Sequence, residues 1–210
     1  DGTHIAIQPP YGEETDYFNY KKFHSVIALA VVNSNLKFTY LNVGAPGRCN
    51  DASVYNRSTL AEIIRNPIYS QHRLTIGQID IQAHLVGDSA FPLSQHLMKP
   101  FPERLPMPQN QSIFNYRLSY CRCTVERAFG HLKNRFRLLH KKLEFDLDHI
   151  KLIIKAAFIL HNICVDARDS VEIEWNQTPP MHKKPACPIQ TTTATRLRDE
   201  MCQYFIQNPL

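Results

Sequence analysis

The sequence predicts an α/β domain, and three observations carry that expectation. "HSVIALAVV" (24–32) is a nearly continuous apolar run, the pattern of a strand covered on both faces. "LKFTYLNV" (36–43) follows directly after the turn residues "NSN", so the two read as a hairpin. From about Ser112 to Leu139, residues Val125, Phe129, Leu132, Phe136 and Leu139 recur at i, i+4, i+7, i+11 and i+14, the stripe of a long helix.

The remaining elements follow in order. "DGTHIAI" reads as the end of a strand, β-branched and apolar behind an acid. "GAPGRCND" (44–51) breaks the chain, and Asn50 or Asp51 is the expected N-cap of a helix over "ASVYNRSTLAEII" (52–64), ended by Asn66-Pro67. Residues 67–81 read as a loop. "QAHLVGD" (82–88) reads as a short buried strand ending in an acid, "PLSQHL" as a turn or short helix, and "LMKPF" as a strand stopped by Pro100. "DHIKLIIKAAFILHNICVDA" is a second helix, apolar almost all round and therefore expected to be enclosed. A domain over 1–165 is followed by an acidic, then Pro/Thr-rich connector over 166–193. A helix over 194–210 closes the chain, with Leu197, Met201, Tyr204 and Phe205 on one face.

The chain has 210 residues, 43% of them apolar, and no apolar run long enough to span a membrane, which needs about 18 or more. No charged-then-apolar leader opens it, so nothing marks secretion. The six cysteines include no CxxC pair, and reduced intracellular thiols are expected.

Charge is unevenly placed. Residues 117–142 hold eight of the 24 Lys and Arg but one of the 19 acids, Glu126, so this segment carries +7 and the rest of the +5 chain −2. A solvated helix face mixes signs through i,i+4 pairs, and this one does not, which points to a polyanion. Arg122, Arg127, Lys133, Arg137, Lys141 and Lys142 are the candidate phosphate contacts.

Four acids stand at the ends of elements or in unexpected surroundings: Asp1, Asp51, Asp88 and Glu126. Strand ends in α/β sheets are where ligand groups converge. Carboxylates gathered there repel one another unless a divalent cation offsets them, and hard oxygen ligands suit Mg²⁺ or Mn²⁺. Each acid also has a structural alternative. Asp51 can serve as an N-cap, Asp88 as a turn former, and Glu126 as an ion-pair partner of Arg122 or Arg127. His4, His24 and His161 read as ordinary hydrogen-bonded histidines, and Phe129 and Phe136 as core.

The blocks "DGTHI", "YFNYKKFHSVIALAVV", "GAPGRCNDASVY", "LVGDSAFPL", "LMKPF", "FNYRLSYCRCTVERAFGHLKNRFR" and "ILHNIC" resemble, in order, those of the PIF/Harbinger-type DDE transposases, in particular their domesticated nuclease form. The resemblance covers residues 1 to about 165. It implies an RNase H-like core, a mixed five-stranded sheet flanked by helices, with the first strand cut short at the N-terminus. It implies Asp1, Asp88 and Glu126 as the catalytic acids, with Asp51 joining them as a metal ligand. The implied chemistry is two-metal, Mg²⁺- or Mn²⁺-dependent hydrolysis of DNA in the nucleus, with a cytoplasmic pool and a Myb-like DNA-binding partner as further expectations. The rival expectation is a retired transposase that binds DNA or protein without cutting. Since the chain opens on the first acid, it reads as a fragment, with its α-amino group beside the metal site, its central strand half-paired, and poor folding and weak cleavage expected.

Overall fold

The structure is a computed structural model describing residues 1–76, 79–169 and 185–208. In chain order it forms β1 (Gly2–Ala6), α1 (Glu14–Tyr17), β2 (Ser25–Val32), β3 (Phe38–Pro46), α2 (Asp51–Arg57), α3 (Thr59–Ile63) and α4 (Pro67–Gln71). There follow β4 (Arg73–Ile76), β5 (Ile79–Gln82), β6 (Leu85–Val86), β7 (Leu97–Met98), α5 (Gln109–Arg135), α6 (Leu147–Asp166) and α7 (Thr192–Gln207). The chain makes two compact units, Asp1–Val54 with the segment from Thr124, and Tyr55–Cys123 with the C-terminal segment.

In the first unit an antiparallel sheet runs in the order β1-β2-β3. β2 is central, and its first six residues are buried, as its unbroken apolar run requires. The β2–β3 hairpin turns at Asn33, whose side-chain oxygen accepts the N–H groups of Asn35 and Lys37. Its register shifts between Ile27 and Ala28, where Gly44 is the extra residue with φ +114°, a bulge conformation that glycine reaches without strain. Val125, Ala128, Phe129 and Leu132 of α5 pack against this sheet together with Ile150, Ile154 and Phe158 of α6. Phe136 and Leu139, which complete the predicted stripe, lie beyond the end of α5, Leu139 within a 3-10 turn over Arg137–His140.

The second unit has its own core, with Ile81, Leu93, Met98, Phe101, Phe114 and Leu118 packed on Ala194, Met201 and Cys202 of α7. Asn115 of α5 clamps the backbone of Phe101, accepting its N–H at 2.8 Å and donating to its carbonyl at 3.0 Å. The Arg198 guanidinium stacks 4.1 Å from the Phe101 ring, so a buried cation on α7 gains an aromatic face.

Several expectations need correcting. Among the described residues the sheets hold three, two and two strands, so the five-stranded sheet is not present as one hydrogen-bonded unit. β6 and β7 are only two residues each, too short for a long ladder. The helix expected over 52–64 is two helices that break at Ser58, and Asn50 caps the first by accepting the Ser53 N–H at 2.8 Å. Asn66-Pro67 starts a helix instead of ending in a loop, because the Asn66 side chain accepts the Ile68 N–H while Pro67 occupies the first turn. The expected loop over 67–81 thus holds α4, β4 and most of β5. α6 is not enclosed, since only one face packs on the sheet and α5, leaving Leu152, Ile159 and Ile163 exposed. β1, expected as the central strand, pairs along its whole length with β2 and is the edge strand of that sheet among the described residues. Much of the connector expected over 166–193 lies outside the described residues.

Candidate metal centre

Asp1 extends the β1–β2 ladder by one residue. Its backbone nitrogen donates to the Ala30 carbonyl and its own carbonyl accepts the Ala30 N–H, both at 2.9 Å. The nitrogen therefore satisfies the neighbouring strand. The Asp1 carboxylate accepts the Gly2 N–H at 2.7 Å.

Asp51 is the first residue of α2 and is buried, at 7% exposure. Its Oδ1 lies 2.7 Å from where a Cβ on Gly2 would sit, so only glycine beside Asp1 leaves room for this carboxylate. Asp88 follows β6 in the turn after Gly87, and its Oδ1 accepts the Ala90 N–H at 2.9 Å. The turn-forming role and a ligand role use the same residue, because one carboxylate has two oxygens.

One oxygen from each of Asp1, Asp51 and Asp88 lies within 4.8 Å of the others. Two oxygens held by one Mg²⁺ at about 2.1 Å each sit no more than about 4.2 Å apart, so the grouping fits a divalent cation after small side-chain movements. Glu126 is exposed on α5 and is not a member of this group.

Of the six candidate phosphate contacts, Arg127, Arg137, Lys141 and Lys142 are exposed and Arg122 is half-buried. Lys142 pairs with Glu144 and donates to Gln8. Lys133 differs from the rest. Its Nζ turns inward onto β1, donating to Thr3 Oγ1 at 2.9 Å and to the His4 carbonyl at 3.1 Å. Burial, helped by the positive charge of Lys21, pulls its pKa down to about 8.

His4 Nδ1 lies 2.9 Å from Ser25 Oγ, which also accepts from buried Asn19, so His4 belongs to a local polar network. His161 Nε2 lies 2.9 Å from the Leu36 carbonyl, and burial lowers its pKa against the raising effect of that hydrogen bond. Two residues near the acids escaped the sequence reading. Gly2 was signalled only by its place next to Asp1. Lys99, in the short strand motif, is buried with its Nζ on the Cys187 carbonyl, and burial lowers its pKa despite the opposing charge of Asp88.

Residues 1–162 match the family described as DDE superfamily endonuclease. The chain belongs to this family. The resemblance to PIF/Harbinger-type DDE transposases, drawn from sequence blocks over the same stretch, agrees with that match. The chain is also 27% identical over 209 residues to "Protein ALP1-like" of Arabidopsis thaliana, covering 96% of this chain. It spans about half the length of that relative, 51%. No solved structure matches it significantly. Among the described residues no helix is long and apolar enough to cross a membrane.

Proposed function

We propose that this DDE endonuclease-family chain is a divalent-metal-dependent nuclease that hydrolyses DNA phosphodiester bonds in the nucleus. The observation that carries the reading is the gathering of Asp1, Asp51 and Asp88, acids far apart in sequence, with oxygens within 4.8 Å of one another. Three carboxylates so close repel one another, and a bound divalent cation would offset that repulsion. Mg²⁺ or Mn²⁺ ions bound there would activate the attacking oxygen and stabilise the leaving one.

The residues divide the remaining work. Asp1 is fixed by its ladder bonds to Ala30, and Asp88 by its turn, so both present oxygens with little reorganisation. Asp51 adds an oxygen from a helix start. Glu126 completes the acidic set, and the seating of α5 on β1 supports its placement. Lys133 holds α5 at Thr3 and His4, and further along, Leu143 pairs in parallel with Ile7. Chain and strand therefore advance together. Glu126 lies seven residues before Lys133, two turns or about 10 Å back on nearly the same helix face. Asp1 lies two to three residues back along β1, about 7–10 Å. Both displacements lead to the same end of the strand. The exposed cations of the 117–142 segment would hold phosphates on either side of the cut and fix position without reading bases.

The Myb-like partner rests on the resemblance alone and forms no part of this proposal. The retired, non-cutting alternative is separated by experiment. Calorimetric titration of Mn²⁺ should show binding in the wild type and its loss in both Asp88→Asn and Glu126→Gln. Unchanged Mn²⁺ binding in Asp88→Asn sinks the shared metal centre. Binding without cleavage of supercoiled DNA by the wild type identifies the retired form.

A further inference from the structure

Helix α5 carries an exposed aromatic pair that neither the core nor the acidic group uses. Tyr116 is 68% exposed and Tyr120 is 73% exposed, one helical turn apart. They lie on the side away from Phe114, Leu118 and Val125, which are buried. Arg127, also exposed, follows Tyr120 by seven residues and so shares its face. Among the described residues no side-chain hydrogen bond or ring contact engages either tyrosine. By contrast, Arg117 is committed to α7, its guanidinium 4.6 Å from the Phe205 ring and donating to the Asn208 carbonyl at 2.7 Å.

Two large amphipathic rings left in water on a strongly cationic helix have a recognisable complement. Base faces stack on tyrosine whatever their sequence, and flanking cations hold the backbone. A paired duplex presents its phosphates outward but hides its base faces, so rings offered at this spacing suit an unpaired strand. Tyr120 precedes Glu126 by six residues, about 9 Å along the helix axis, which is a distance of a few nucleotides.

We propose that Tyr116 and Tyr120 form a stacking platform for unpaired DNA bases beside the cut, with Arg127 holding the adjoining phosphate. This rests on DNA being the substrate, as proposed above. It assigns the α5 surface a preference for frayed, gapped or otherwise opened DNA over fully paired duplex.

The test uses the full chain with EDTA present, so that it is independent of metal binding. Fluorescence anisotropy compares a labelled blunt duplex with the same duplex carrying a four-nucleotide unpaired end. The wild type should bind the opened DNA roughly tenfold or more tightly, the scale of stacking on one or two rings. Tyr116→Ala/Tyr120→Ala should lose that preference while keeping its duplex affinity, and Tyr116→Phe/Tyr120→Phe should retain it. 2-Aminopurine at the unpaired end should be quenched by the wild type and the Phe variant alone. Equal binding of both DNAs by the wild type, an undiminished preference in the Ala variant, or equal loss in the Phe variant overturns the platform. Failure of the nuclease reading shows instead as unchanged Mn²⁺ affinity in Asp88→Asn, a result to which this assay is blind.

Discussion

Gly2 stands between the first acid and the rest of β1, and a single methyl group there would reach Asp51. A Cβ on Gly2 would lie 2.7 Å from Asp51 Oδ1. The clashing atom is the end of a short side chain, so the carboxylate yields before the backbone does. Gly2→Ala is therefore expected to weaken Mn²⁺ binding about tenfold or more, as loss of a ligand or its orientation does, while the urea midpoint stays nearly unchanged. Calorimetry and urea unfolding on the same preparation check both halves. Full Mn²⁺ affinity in Gly2→Ala removes Asp51 from the metal set. Asp51 itself was visible in the sequence as an acid after a Gly-Pro break, but its N-cap alternative could not be separated there. The structure gives the cap to Asn50, whose side chain accepts the Ser53 N–H, and leaves the Asp51 carboxylate directed toward Gly2.

At the scale of elements, α5 is fastened to β1 by one lysine as well as by its apolar stripe. Lys133 donates to Thr3 and His4, and burial lowers its pKa to about 8. The unfolded chain keeps that proton up to about pH 10.4. Between the two values the unfolded state binds more protons than the folded one, so this group makes stability rise with pH. Below about 8 both states are protonated and it contributes no slope. Wild type is thus expected to gain urea resistance relative to Lys133→Met between pH 8 and 10, and to show no change in that difference between pH 6 and 7.5. A flat difference across both ranges means the ammonium is solvated. The charge pattern named Lys133 as one of six candidate phosphate contacts. That pattern could not show that its tip folds inward onto a strand 129 or more residues away. The same limit explains α6. Its composition announced burial, yet packing from one side leaves Leu152, Ile159 and Ile163 in water.

Across the whole molecule, metal and fold are linked. A cation that binds the gathered carboxylates of the native state alone stabilises it by about 2.7 kcal/mol at a concentration 100 times its Kd. For a chain of this length that corresponds to a rise of about 5–10 °C in the thermal midpoint. Mn²⁺ should produce this rise in the wild type, EDTA should reverse it, and Asp88→Asn should show little of it. A midpoint indifferent to Mn²⁺ in the wild type counts against any shared cation.

The β2–β3 hairpin, the α5 stripe and the closing helix α7 were legible because each is written in local periodicity, apolar residues repeating at the pitch of a strand or helix. The acids, the cationic segment and the family blocks were legible for the same reason, being local runs of residue types. What the sequence left undetermined depends on contacts between distant residues: the three-strand sheet, the break at Ser58, the inward turn of Lys133 and the meeting of Asp1, Asp51 and Asp88. Propensity and pattern act over a few residues, whereas burial and charge repulsion are set by whatever the folded chain brings alongside, and only the tertiary structure decides that.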